Sequence, residues 1–127
     1  MKEIEVGEYV RTNKGNIGKV VEIRLGLNKD TELYQNVYML DNGLWTILDY
    51  IANHSKQLID LIEVGDFVNG RRIINEIWGE DDNNLYFEIE GRFNKSQYIG
   101  ENDIKTILTK EQFDVNCYEV GGEDESN

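Results

Sequence analysis

His54 is the only histidine and Cys117 the only cysteine in this chain of 127 residues. An imidazole beside a thiol or a serine hydroxyl is the nucleophile–base pair of covalent catalysis. Cys117, however, has no basic neighbour and no helix N-terminus that would activate its thiol. No segment has the spacing of a nucleophile elbow or a catalytic triad. We therefore predict that His54 is an exposed or structural residue in a polar loop and that the chain is not an enzyme.

Two groups of carboxylates could bind a cation or perform acid–base chemistry. Glu80-Asp81-Asp82 offers oxygen ligands but lacks the alternating ligands and central glycine of a calcium loop. Glu88 and Glu90 could form a glycosidase pair, yet they share one face of a single predicted strand, which is typical of a solvated face. The sequence also has no glycine-rich phosphate-binding motif. We predict exposed carboxylates, no bound metal and no cofactor.

Aromatic residues concentrate on the predicted hairpins, and most of them are expected to fill cores. Trp78 ends an alternating segment directly before the acidic residues 80–82, so it is the aromatic that we expect to be exposed. Large aromatics dominate binding energies when they enter a pocket. The predicted partner-binding set is therefore Trp78, Glu80, Asp81, Asp82, Glu88 and Glu90.

Charge is divided unevenly along the chain, whose net charge is −12. Residues 1–58 hold 7 Lys and Arg against 8 Asp and Glu, a net of −1, whereas residues 59–127 hold 6 against 17, a net of −11. Such acidity favours solubility, or a surface that occupies a basic groove meant for nucleic acid. Direct binding of DNA or RNA is disfavoured, because it requires a basic patch.

The elements that position these side chains are organised by an internal repeat. The heptad Ile-Glu-Val-Gly-Glu-Tyr-Val at residues 4–10 recurs as Ile-Glu-Val-Gly-Asp-Phe-Val at residues 62–68. The closing Tyr-Ile pairs at residues 50–51 and 98–99 predict that the second copy is ten residues shorter, with the loss in its loops. The chain is thus predicted to duplicate one small unit. A unit of this size is marginal alone, so the copies are expected to pack together or to oligomerise.

Alternating apolar residues and glycine-rich turns predict short strands throughout. The Asp-Asn-Gly at residues 41–43 indicates a tight hairpin, because these residues tolerate a positive φ. In the first unit the pattern predicts strands over 6–12, 17–24, 34–40 and 44–48, a polar loop over 25–33 and a polar connection over 52–57. In the second it predicts strands over 72–78, 85–90 and 92–98, an acidic loop over 79–84 and a capping box at Thr109 and Gln112.

The opening pattern of each unit, a glycine, an acidic residue, an aromatic and a valine before a turn, resembles that of small SH3-like barrels. We therefore predict an all-β fold of two tandem SH3-like barrels with a short helical turn. The predicted boundaries are residues 1–58 and 59–113, followed by an acidic tail over 114–127. The N-terminus has no apolar signal region and no apolar run could span a bilayer, so a soluble, cytoplasmic protein is expected.

Three further segments, residues 54–56, 59–70 and 107–113, carry a second resemblance. They are similar to small uncharacterised proteins of phages and prophages of Gram-positive bacteria, in which "HS…IIDLIEVGDYVNG" and a terminal "TKEQF" recur. Phage accessory proteins of this size often bind host proteins, including defence nucleases. The resemblance therefore implies a bacterial host cytoplasm and a host protein as the partner.

We expect a non-enzymatic binding protein whose acidic second unit engages a host protein, with inhibition of a nucleic-acid-binding defence enzyme as the concrete form. The alternative is a small-ligand binder or sponge with an aromatic pocket between the two barrels.

Overall fold

The computed structural model describes residues 3–79, 85–91, 97–117 and 120. Its strands form two five-stranded antiparallel sheets, and one α-helix lies near the C-terminus. The predicted all-β class is confirmed. Pairing in the described part of the chain leaves both sheets open rather than closed. No helix among the described residues is long and apolar enough to cross a membrane.

The first sheet has the strand order β4-β3-β2-β1-β5. A 3-10 helix, Leu48–Tyr50, leads from β4 into β5, which returns to pair with β1. A second 3-10 helix, Leu58–Leu61, leads to the second unit. The strands are β1 (Tyr9–Thr12), β2 (Ile17–Asn28), β3 (Leu33–Leu40), β4 (Trp45–Ile47) and β5 (Ile51–Ser55).

The second sheet has the equivalent order, β9-β8-β7-β6-β10, and again a 3-10 helix, Glu101–Asp103, leads from the fourth strand to the fifth. The strands are β6 (Phe67–Val68), β7 (Arg71–Trp78), β8 (Leu85–Ile89), β9 (Gln97–Ile99) and β10 (Ile107–Leu108), followed by the helix α1 (Lys110–Asn116).

Each heptad folds into the same turn before the first strand of its sheet. The glycine at its fourth position has φ of +98° in the first copy and +101° in the second, a conformation that favours glycine. The acidic residue after this glycine folds back onto the backbone. Glu8 accepts a hydrogen bond from Glu5 N at 3.0 Å, and Asp66 accepts one from Glu63 N at 2.8 Å. The repeat therefore encodes a turn together with its capping carboxylate.

The two cores are built from corresponding residues. Each second strand bulges directly after a buried core residue, between Val20 and Glu22 in β2 and between Ile73 and Asn75 in β7. A bulge bends the strand so that one strand can serve two pairing partners. The buried residues of the first core are Ile4, Val10, Val20, Tyr38 and Leu40, and their counterparts are Ile62, Val68, Ile73, Phe87 and Ile89.

Several predicted boundaries in the first unit were wrong. Residues 25–33 are not a loop, because β2 continues to Asn28 and β3 begins at Leu33. The connection predicted over 52–57 contains β5, which extends to Ser55. Backbone pairing with a neighbouring strand overrides local polarity in both segments.

The predicted register of the copies was also wrong. Trp45 and Tyr98 occupy the same place in the fourth strands, and His54 and Ile107 in the fifth. Both pairs are 53 residues apart, whereas the heptads are 58 apart, so the second unit is five residues shorter rather than ten. The two Tyr-Ile pairs match by chance, because the second of them lies in β9 and not before β10.

Arg11 joins the two units. Its side chain is 1% exposed, and its guanidinium bonds both carboxylate oxygens of Asp66, at 2.5 and 3.0 Å. It also donates to Leu61 O at 2.9 Å and to Glu111 at 2.6 Å, and Glu63 lies 3.7 Å away. Burial would lower the pKa of Arg11, but hydrogen bonds and charge from these carboxylates outweigh burial and raise it. A cation of the first unit is thus neutralised by the second.

Helix α1 also contacts the first unit. Thr109 caps the helix by accepting a hydrogen bond from Gln112 N at 3.3 Å, as predicted. The Gln112 side chain does not complete the predicted capping box, because its Oε1 accepts from Asn116 at 3.3 Å and its Nε2 donates to Lys14 O at 2.7 Å. The Thr109 hydroxyl donates to Gly15 O at 2.7 Å. The helix therefore holds the β1–β2 turn of the first unit.

Candidate functional site

Trp78, the predicted anchor, ends β7 and is 58% exposed. Its indole Nε1 donates to Glu76 at 2.8 Å. In the ladder, Glu76 lies opposite the buried Phe87, so Glu76 and Trp78 share the face of the sheet that covers the core. Trp78 therefore extends that face beyond the edge of the core.

Glu88 and Glu90 lie elsewhere. Glu88 is half-buried on β8 between Asn75 and Tyr98, and Glu90 is exposed directly after the strand. Because side chains alternate along a strand, Glu88 projects from the face opposite to that of Phe87 and Trp78. The structure thus places Trp78 and Glu88 on opposite faces of one sheet. Glu80, Asp81 and Asp82 lie outside the described residues.

Two tyrosines flank Glu88 on this outer face. Tyr98 is paired directly with Glu88 and is 61% exposed, and Tyr86, two residues before Glu88 on β8, is 37% exposed. Ile77, opposite Tyr86, completes an apolar row. We call Asn75, Ile77, Tyr86, Glu88 and Tyr98 the acidic aromatic face.

The equivalent face of the first sheet carries no net charge. Trp45 stands where the second sheet has Tyr98, and Met39 where it has Glu88. Arg24 lies over the Trp45 ring at 5.4 Å and pairs with Glu22 at 2.5 Å. Exposed aromatics are therefore common to both outer faces, whereas a carboxylate with no ion pair among the described residues is the addition of the second.

Sequence reasoning missed Tyr86 and Tyr98 as surface residues, because aromatics on hairpins were expected to fill cores. The signal was present in the alternation of β8. Phe87 and Ile89 are buried there, which assigns Tyr86 and Glu88 to the outer face.

His54 lies on β5 rather than in a loop, and its partner is a carboxylate. Its Nδ1 is 2.7 Å from Glu8 Oε1, and both side chains are largely buried. The hydrogen bond from His54 outweighs burial and lowers the pKa of Glu8. Cys117, the other nucleophile candidate, is exposed after α1. His54 thus orients a buried carboxylate of the heptad turn.

Three cavities bear on ligand binding. One of about 300 Å³ is lined by aromatic and polar residues of the first unit, including Trp45, Tyr50 and Lys14. One of about 220 Å³ lies between the units, with Tyr9 as its aromatic residue. The third, of about 570 Å³, is polar and surrounds Glu8 and His54. Within the ranges that the structure describes, no three His, Cys, Asp or Glu side chains are arranged to hold a metal ion.

No family model, curated protein or solved structure matches this chain. Its function is therefore argued from its own geometry.

Proposed function

We propose that this chain is a non-enzymatic binding protein whose acidic second unit docks on a basic surface of another protein. The observation that carries the proposal is the acidic aromatic face, where Glu88 lies between two exposed tyrosines. Aromatic side chains supply burial at interfaces with little loss of conformational freedom. A carboxylate among them favours a cationic partner and speeds its association.

The charge of the whole second unit supports the same partner. Residues 59–127 carry a net of −11, against −1 for residues 1–58. A field of one sign attracts a basic groove and repels nucleic acid. The resemblance to phage and prophage proteins suggests a bacterial host protein, in particular a defence enzyme whose basic groove normally binds DNA or RNA. Glu80, Asp81, Asp82 and Glu90 would add to this field.

The test is capture of partners from lysate of the bacterial host, followed by affinity measurements at increasing salt. We expect a basic nucleic-acid-binding protein whose affinity falls steeply with salt, since screening weakens charge–charge attraction. Tyr98→Ala combined with Glu88→Lys should weaken binding by at least about tenfold, as expected for the loss of an interface anchor.

Matched changes on the first sheet serve as the control. Trp45→Ala combined with Met39→Lys alters the equivalent positions of a face with no net charge, and binding should persist. Equal loss of binding in both double variants would contradict the proposal, as would an affinity that does not change with salt.

We also propose that each unit is an SH3-like barrel. The support is the shared strand order, the return of the fifth strand to the first, the 3-10 helix between the fourth and fifth strands, and the bulge that bends the second strand. A crystal structure in which the two ends of either sheet splay apart, rather than pack around one core, would contradict it.

A small-ligand binder is a second candidate, favoured by the cavity of about 300 Å³ beside Trp45 and Tyr50. Its volume is at the lower limit of ligand pockets. In contrast to the expectation from sequence, this aromatic cavity is lined by the first unit alone. Native mass spectrometry of protein purified from its host would detect a retained ligand, and Trp45→Ala should release it.

A further inference from the structure

The heptad turn of the second unit already functions as a receptor for a guanidinium group. Asp66 receives both Nη atoms of Arg11, while Leu61 O and the carboxylates of Glu63 and Glu111 surround the same cation. The cation comes from the other unit, so this is recognition between two folded copies. Bidentate carboxylate–guanidinium pairs are among the strongest and most specific charged hydrogen bonds.

The heptad turn of the first unit has corresponding backbone hydrogen bonds and a glycine of similar φ. With an offset of 58 residues, Glu8 corresponds to Asp66, Glu5 to Glu63 and Glu3 to Leu61. The same capping bond forms in both turns, at 3.0 Å and 2.8 Å. Glu8 therefore occupies the same place in its turn as Asp66, and it makes the same bond to the backbone.

In the first unit, His54 bonds one oxygen of Glu8, and the rest of this position is a cavity. The cavity of about 570 Å³ is lined by Glu3, Glu5, Glu8, His54, Ser55, Lys56, Gln57 and Asp60. Four of these residues are acidic. Lys56, the basic side chain at its rim, approaches Glu5 only to 3.9 Å and is 79% exposed. In the described part of the chain, no arginine occupies the cavity.

Glu8 retains the capacity to accept such a group. A carboxylate has about four acceptor positions. Asp66 uses four, two for the backbone N–H groups of Glu63 and Lys110 and two for Arg11. Within the residues that the structure describes, Glu8 accepts two hydrogen bonds, from Glu5 N and from His54 Nδ1. Two positions thus remain for a guanidinium.

We propose that the cavity around Glu5 and Glu8 binds an arginine side chain supplied by a partner protein. The repeat provides the precedent for the ligand, and the four acidic side chains supply the complementary charge. The site surrounds the heptad turn of the first unit, apart from the acidic aromatic face, so it stands or falls independently of the function proposed above.

The probe is a short end-blocked peptide with a central arginine, compared with the same peptide carrying citrulline, which keeps the shape and lacks the charge. Titration into isotope-labelled full-length protein should shift the amide signals of Glu5, His54 and Ser55. The arginine peptide should bind at least about tenfold more tightly than the citrulline peptide. A lysine peptide should lie between them, since an ammonium cannot bond in two places at once.

Glu5→Gln is the main variant, because Glu5 is 67% exposed and its loss should leave the fold intact. It should weaken arginine binding severalfold, and Glu8→Gln should weaken it further. Glu22→Gln, at an exposed carboxylate outside both proposed sites, is the control and should leave arginine binding unchanged. Equal binding of arginine and citrulline, shifts confined to the second unit, or tighter binding of free arginine than of the blocked peptide would each overturn the proposal.

Discussion

Arg11 is a cation buried between two units that share the heptad turn. The burial of a charge is costly unless every donor finds an acceptor, and here four groups of the second unit accept from or surround it. Its position in the first strand gave no indication of this, because the alternation of β1 predicts only a face. The sequence pattern therefore gives no partner for Arg11, the residue that joins the two units.

Arg11→Met is expected to lower the free energy of unfolding by about 3–5 kcal/mol, because it leaves the buried carboxylate of Asp66 without its guanidinium partner. Urea denaturation followed by circular dichroism measures the change. Arg24→Met is the matched control. Arg24 is 65% exposed in its pair with Glu22, so its loss should cost no more than about 1 kcal/mol. Similar costs for both variants would show that Arg11 is not the buried link between the units.

The buried pair of Glu8 and His54 predicts a pH dependence. The hydrogen bond from His54 lowers the pKa of Glu8 in the folded protein. The ionised carboxylate thus stabilises the fold above its unfolded pKa, and this contribution is lost as the pH falls through the lower, folded pKa. We expect the stability difference between the natural protein and Glu8→Gln to shrink as the pH falls below the ordinary range of a glutamate. Urea denaturation at several acidic pH values measures it, and a constant difference would contradict the expectation.

At the scale of elements, helix α1 packs closely on the β1–β2 turn. Gly15 has φ of +83°, and a Cβ built there would lie 2.3 Å from the Thr109 hydroxyl and 2.8 Å from Glu111. The turn and the helix cap are each predicted from the sequence, but separately. Nothing in the local pattern indicated that the helix, almost a hundred residues later, packs on that turn.

Gly15→Ala should therefore destabilise the protein more than Gly43→Ala. Gly43 has a similar φ of +88°, but a Cβ there meets nothing within 4 Å. The control should cost about 1–2 kcal/mol for its left-handed backbone alone. The excess in Gly15→Ala measures displacement of the helix, and hydrogen exchange should show faster exchange in residues 110–116. Equal costs for the two substitutions would mean that α1 does not rest on the turn.

At the scale of the whole molecule, we expect the two units to fold as one cooperative structure. Separation of the chain after residue 58 would leave Asp66 without Arg11 and Gly15 without α1. Each fragment also has only a small core, which is marginal at this size.

We expect fragments 1–58 and 59–127 to be unfolded when alone and to fold when mixed. Nuclear magnetic resonance spectra of each fragment and of the mixture test this, with the full chain as the reference. Well-dispersed spectra from either separate fragment would contradict the expectation. They would show that the ion pair and the helix only align two independent domains.

The sequence by itself determined what depends on neighbours along the chain. The heptad turn, the capped helix, the hairpin at residues 41–43 and the alternation of β8 all follow from glycine φ preferences, capping and a two-residue period. These features sufficed for the all-β class and the duplication. They failed where pairing between strands decides the secondary structure, as in residues 25–33. Hydrogen bonds to a neighbouring strand can extend a strand even where its own residues are polar.

Only the tertiary structure decided which residues meet. It placed Trp78 and Glu88 on opposite faces of one sheet and brought two tyrosines beside Glu88. It also paired His54 with Glu8 and inserted Arg11 into the heptad turn of the other unit. The physical reason is that these contacts join residues far apart in sequence, and the identical turns give no clue to their partners. The same turn binds an arginine in one copy and borders an open acidic cavity in the other, and only the packing of the units distinguishes them.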